Sequence, residues 1–249
     1  MAIEHMRTWN IGDVEITRIV EVNNWEDDIT MLLADATPQT VLDHPWLVPN
    51  YATAEGKMLI SFQCFVMRTR DHQIMLDTCI GNDRAREFPV FTNMQTSFME
   101  DLAHAGYKPE EIDTVLCTHL HFDHVGWNTH LVDGKWVPTF PNARYLFGRK
   151  EYAHWMMLKE THGYHDLNHM HDAIQPVVDA GLVDLIDHTH KVCPELSLIP
   201  TPGHTPGHVS IVIESKGQRA VITGDMMHHP IQLAMPEDEG RFDMIKDLA

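Results

Sequence analysis

The residues best equipped for chemistry form one short run, His119-Leu120-His121-Phe122-Asp123-His124, which sets four metal-ligating side chains within six positions. In an extended backbone alternate side chains share a face, so His119 and His121 can hold one ion together. A turn beyond them swings Asp123 and His124 toward another ion, and one motif can seed two sites. Neutral imidazole and carboxylate suit zinc; manganese, iron or cobalt also accept such a nitrogen and oxygen set, and spacing does not choose among them. A His-x-His-x-Asp-His run arises by chance in about one chain in a hundred of this composition, so the motif needs company. Two companions lie downstream. Thr201-Pro-Gly-His-Thr-Pro-Gly-His208 puts His204 on a Gly/Pro-rigid loop as a third ligand. Gly224-Asp225 ends an apolar strand, where a buried carboxylate is costly without a cation, and Asp225 is suited to bridging two ions. His208, one strand register beyond His204, reads as structural, and so do scattered histidines such as His165.

These ligands need a sheet edge to carry them. Residues 11–22 alternate apolar and polar side chains and read as a strand with one buried face. Further strands are expected at Leu59–Met67, Gln73–Asp77, Thr114–Thr118, Ala143–Phe147, Leu196–Pro200, Val209–Glu214 and Ala220–Thr223, with a hairpin turning at Asp133-Gly134. Helices are expected over Ser97–Ala105, closed by Gly106, and near Lys150–Lys159, where Trp155, Met156 and Met157 read as core. Residues 23–57 lose the strand periodicity yet carry Trp25, Leu32, Leu33, Trp46 and Tyr51, which reads as an insertion serving as a lid, a dimer contact or plain packing. The alternation predicts an α/β fold forming one domain over 1–249.

Composition narrows the partners. Lys and Arg total 18 against 36 Asp and Glu, a formal charge of -18, which repels phosphate backbones and anionic bilayers. Neither nucleic acid nor membrane is expected, and a small molecule is. Without an apolar leader or spanning run, a cytoplasmic location is expected. Cys64, Cys79, Cys117 and Cys193 are widely spread and read as buried thiols. Glu237-Asp238-Glu239 reads as a solvated acidic run.

Taken in order, His-x-His-x-Asp-His, Pro-Gly-His-Thr-Pro-Gly-His and Gly-Asp resemble the metallo-β-lactamase superfamily, with the likeness running to about Gln232. Asp77-Thr78 matches that family's early Asp-Thr/Ser-Gly turn, with Cys79 in the glycine's place. Gly126-Trp-Asn-Thr129 and Val137 to Tyr145 resemble the branch holding quorum-quenching lactonases and methyl-parathion-hydrolase-like enzymes. The resemblance implies a four-layer αββα sandwich and two divalent ions, zinc first among them. His119, His121 and His204 would bind the first ion, Asp123 and His124 the second, Asp225 would bridge them, and Asp77 would support the ligands from outside. Water activated by the ions would attack an ester-like bond, as in a lactone, aryl ester or phosphotriester. Asp123 would hand a proton to the departing alkoxide. His228 stands where lactonases of this superfamily often place a tyrosine that contacts the substrate carbonyl, and it would polarise substrate or bind metal.

One departure stands out. The family supplies a last histidine well after Gly-Asp, and no histidine follows His229. The chain is therefore expected to lack its final helix and strand, with the second ion held weakly unless His228, His229 or a partner chain substitutes. The alternatives to an ester or lactone hydrolase are a glyoxalase II-like thioester hydrolase and a non-catalytic metal-binding remnant.

Overall fold

A computed structural model describes residues 6–162, 167–238 and 240–248. His165, read above as structural, and Glu239, read as part of a solvated acidic run, lie outside the described residues. The chain opens with β1 (Arg7–Ile11) and β2 (Val14–Asp27), followed by β3 (Met58–Arg68), β4 (Gln73–Leu76) and β5 (Thr114–Leu116). A hairpin of β6 (Thr129–Val132) and β7 (Lys135–Pro138) then stands apart, turning at Asp133 and Gly134, whose φ values of 49° and 76° suit a two-residue hairpin turn. Strands β8 (Arg144–Gly148) and β9 (Val183–Ile186) complete a seven-stranded sheet in the order β1-β2-β3-β4-β5-β8-β9, antiparallel up to β4 and parallel beyond it. Strands β10 (Lys191–Cys193), β11 (Leu196–Pro200), β12 (Val209–Ser215) and β13 (Gln218–Ile222) form a second, antiparallel sheet.

Side-chain alternation explains why the sheets stack. Ile74, Leu76 and Leu116 of the first sheet meet Leu196, Leu198, Val209, Ile211 and Ile213 of the second. Met75, Val115 and Cys117 point the other way, toward Phe98 and Leu102 on one helix (α2, Phe98–His104) and Trp155 on another (α4, Arg149–His162). The shorter helices are α1 (Pro38–Leu42), α3 (Phe122–Val125) and α5 (Gln175–Asp179). All four cysteines are buried and free. No described helix is long and apolar enough to cross a membrane.

Several boundaries differ from the sequence reading. The strand expected over 11–22 is two strands, because Gly12 turns back at φ 58° and sets Ile11 against Val14. Residues 23–27 belong to β2 and pair with β3 as far as Asp27, so the insertion is shorter than 23–57. Beyond it, Ile29, Leu32, Leu33, Val41, Leu47 and Ala52 form a satellite core with Met58 and Ile231, while Trp46 and Tyr51 stay exposed. Met157, read as core, is 52% exposed, because α4 turns Glu151 and Trp155 inward instead.

Candidate metal centre

Three loops meet at one edge of the sheet pair. The first leaves β5 and enters α3, carrying His119 and His121 before the helix and Asp123 and His124 on it. The second joins β11 to β12 and carries His204. The third follows β13, where Gly224 at φ 57° turns the chain so that Asp225 faces the others. A Cβ on Gly224 would stand 2.7 Å from His208 Nε2, so the turn excludes any other residue. The hydrogen bond from Val209 N to Thr118 O, 3.1 Å, ties the first loop to the start of β12.

Two ligand clusters result. His119 Nε2 lies 3.0 Å from His121 Nδ1, which lies 2.8 Å from His204 Nε2. Beside them, His124 Nε2 stands 3.2 Å from Asp225 Oδ2 and 3.7 Å from Asp123 Oδ2. Asp225 Oδ2 also lies 3.6 Å from His204 Nε2 and 3.9 Å from His119 Nε2, so it belongs to both clusters. All six predicted ligands are thereby brought together.

Hydrogen bonds around the rings settle which nitrogen faces inward. The Thr118 hydroxyl donates to Asp77 Oδ2 at 2.9 Å and so accepts from His119 Nδ1 at 3.0 Å. Asp77 Oδ2 accepts from His124 Nδ1 at 2.9 Å, and Asp243 Oδ1 accepts from His204 Nδ1 at 3.2 Å. His119 and His204 therefore aim an Nε2 lone pair inward, and only one of them can receive the His121 proton; His124 turns its Nε2 inward too, toward Asp225. Lone pairs converging on a carboxylate repel one another unless a cation stands among them. Tetrahedral zinc with bonds of about 2.0–2.1 Å spaces its nitrogens by about 3.3 Å, close to what these rings show. The residues fit divalent ions.

Ionisation divides the clusters. Burial, helped by neighbouring histidines, drives His119 and His121 well below the ordinary histidine pKa. Burial opposes charge on His124 as well, but Asp225, Asp77 and Asp123 outweigh it and hold that ring well above the ordinary value. Burial raises the Asp123 carboxyl. Asp225 is held well below the usual carboxylate range, since His124 and His228 overcome its burial.

The remaining histidines separate by their partners. Burial pulls His208 down to about 4, and its neutral Nε2 accepts from Asp225 N at 3.0 Å, so it orients Asp225 rather than joining the ligands. His229 Nε2 bonds to Tyr51 O at 2.8 Å and is turned away. His228 Nε2 lies 3.4 Å from Asp225 Oδ2 and lines the cavity.

The sequence reading missed two supports. Buried Glu151 accepts from Leu120 N at 3.1 Å and Trp155 Nε1 at 2.6 Å through one oxygen, and from Thr205 Oγ1 at 2.8 Å and Gly207 N at 3.0 Å through the other. It pins the His119–His124 loop to the His204 loop. A polar side chain followed by Trp155 at i+4, on a helix leaving β8, was the available signal. Asp243 was the other; Met244 N and Ile245 N bond to His204 O and Gly203 O, so this segment lies against the His204 loop. The turn residue Cys79 adopts φ 48°, the left-handed conformation that explains the family's glycine there.

The clusters open on a cavity of about 1040 Å³, walled by Trp25, Leu32, Phe62, Phe88, Phe91 and Phe122. His169 also lines it; burial pulls this ring down to about 3, and its Nε2 has no hydrogen-bond partner among the described residues.

Comparison with known proteins accords with this geometry. Residues 63–246 match the model of the metallo-beta-lactamase superfamily. An N-acyl homoserine lactonase of Bacillus thuringiensis is 26% identical over 195 residues, 73% of this chain and 69% of that protein. One from Bacillus cereus is 27% identical over 187 residues, 70% and 66% of the two chains. The crystal structure of the hydrolase AbOPH, in the beta lactamase superfamily, superposes with a TM-score of 0.77 at 27% identity, covering 97% of this chain and 81% of that one. AidC, a dizinc quorum-quenching lactonase, superposes with a TM-score of 0.76 at 18% identity over 98% of this chain and 82% of its own, a likeness of fold. The expectation that final elements are missing gains no support from these coverages. The α/β fold of mixed and antiparallel sheets, the match over 63–246 and the histidine clusters together establish that this chain belongs to the metallo-beta-lactamase superfamily, whose members include metal-dependent hydrolases.

Proposed function

We propose that this protein hydrolyses an ester-like bond, a lactone foremost, in a small neutral molecule with an apolar arm. The observation that carries the reading is the pair of clusters sharing Asp225 at the wall of an aromatic-lined cavity. In this reading His119, His121 and His204 hold the first ion, Asp123 and His124 the second, and Asp225 both. When bound, zinc or a similar divalent ion brings the pKa of water toward neutrality and polarises the scissile group.

The protein's own residues supply the rest. Burial of Asp123 keeps its carboxyl ready to take up and return a proton beside the leaving oxygen. The Phe88, Phe91 and Phe122 rings, with centroids 5.9–6.3 Å apart, offer an apolar seat for an acyl or aryl arm. Neutral His169 offers a hydrogen-bonding nitrogen on the same wall. A net charge of -18 favours neutral over anionic substrates, which sets a glutathione-type thioester below a lactone. The similarity to N-acyl homoserine lactonases supports the same order.

The test is hydrolysis of an acylated lactone, an aryl ester, a phosphotriester and a glutathione thioester by protein stripped with chelator and then restored with zinc or manganese. Lactone opening that depends on metal and strengthens with acyl length is the expected result. Preference for the thioester would overturn the substrate assignment.

A further inference from the structure

We infer that His228 is the imidazole that completes the second metal position, alongside Asp123, His124 and Asp225. The inference rests on the two-ion reading above and adds a ligand to it.

Both ring nitrogens of His228 are shut off from solvent; among the described residues Nδ1 has no hydrogen-bond partner, and Nε2 meets only the Asp225 carboxylate, at 3.4 Å. Buried histidines without partners are uncommon, because an unpaired polar atom loses its water and gains nothing in return. The ring is nonetheless held in place. His228 N donates to Gln232 Oε1 at 2.8 Å, and the ring packs edge-on against His204 with centroids 4.6 Å apart. Its Nε2 stands 3.4 Å from Asp225 Oδ2, beside the 3.2 Å between that oxygen and His124 Nε2. Neighbouring donors on one zinc ion are separated by about 3.3 Å, so His228 keeps ligand spacing from the carboxylate just as His124 does. A group that instead polarised a metal-held substrate would need room for the substrate atom between itself and the ligands. The adjacent histidine cannot take the same place, since His229 is committed to the Tyr51 carbonyl and to Ile231 N.

The decisive experiment compares the wild-type protein with His228→Ala and His228→Gln. Each is stripped of metal and titrated with cobalt(II), read by visible absorption and by elemental analysis after gel filtration. Wild type should bind two ions. Both variants should keep the first ion at unchanged affinity and lose the second by roughly 100-fold or more, beyond the 10–100-fold cost of losing an outer hydrogen-bond partner. Added imidazole should restore the second band in His228→Ala. Within the protein the ring's one polar contact is with Asp225, itself a ligand, so the substitutions disturb little else, and circular dichroism confirms that the variants are folded. Two tightly held ions in both variants would overturn the inference, a change in KM alone then placing His228 on the substrate side. Fewer than two ions on wild type would instead overturn the two-ion reading itself.

Discussion

The two metal positions are made of different material. The first draws three imidazoles from two loops, and burial keeps His119 and His121 neutral. The second sets His124 among Asp77, Asp123 and Asp225, which hold its ring in the charged form. Bracing differs too. Glu151 ties the loop carrying His119, His121, Asp123 and His124 to the His204 loop, whereas Asp225, on the turn after β13, is oriented by His208 Nε2. The contrast teaches that one position is ready for an ion and the other must release a proton to accept one.

The largest effect is expected from His121→Ala, which removes the nitrogen shared by both close contacts of the first cluster. Metal catalysis supplies several kcal/mol, so hydrolysis should fall by about 1000-fold, with the first ion lost on elemental analysis. Retention of both would break the comparison at its base. Next, Glu151→Ala leaves four donors without their acceptor, and urea unfolding should show a loss of about 3–4 kcal/mol, water entry offsetting part of the full penalty. An unchanged midpoint would mean that the loops stand without the clamp.

Asp77→Asn tests whether the second position needs its outer carboxylate. Metal affinity there should drop by about 10–100-fold, read by competition with a chromophoric chelator, while the first ion holds. A gentler probe is pH. Because the folded pKa of His124 is raised, its contribution to metal-free stability is fully present below 6.5 and fades as pH rises through the raised value. An ion at this position displaces that proton, so its affinity should climb about tenfold per pH unit until the raised value is passed. The first ion should bind with little pH dependence near neutrality. Equal slopes in calorimetric titrations would erase the distinction. The smallest effect is expected from Asp243→Asn, whose amide oxygen still accepts from His204 Nδ1 without the charge; first-ion affinity should weaken by about tenfold or less.

Much of this centre was legible in the sequence because its ligands come from short runs. His119, His121, Asp123 and His124 declare themselves by spacing, and His204 and Asp225 by the glycines and strands beside them. The supports were hidden for a physical reason. Glu151 gains its role from the distance that folding closes between Leu120 and Gly207, and locally only Trp155, four residues on, hints at an inward carboxylate. Asp243 is similar, since its partner His204 lies 39 residues away. In the fold, apolar runs marked β3, β11 and β12, yet the alternation read over 11–22 ran straight across Gly12-Asp13 and concealed a hairpin. Strands β9 and β10 are short and only partly buried, so their pattern carries little signal.

The most direct measurement of the central claim follows hydrolysis of one acylated lactone as zinc is added stepwise to metal-free protein. The account predicts little activity over the first equivalent, as His119, His121 and His204 fill, and a steep rise over the second. Protein shown by elemental analysis to hold both ions, and still inert toward lactone and ester, would contradict it.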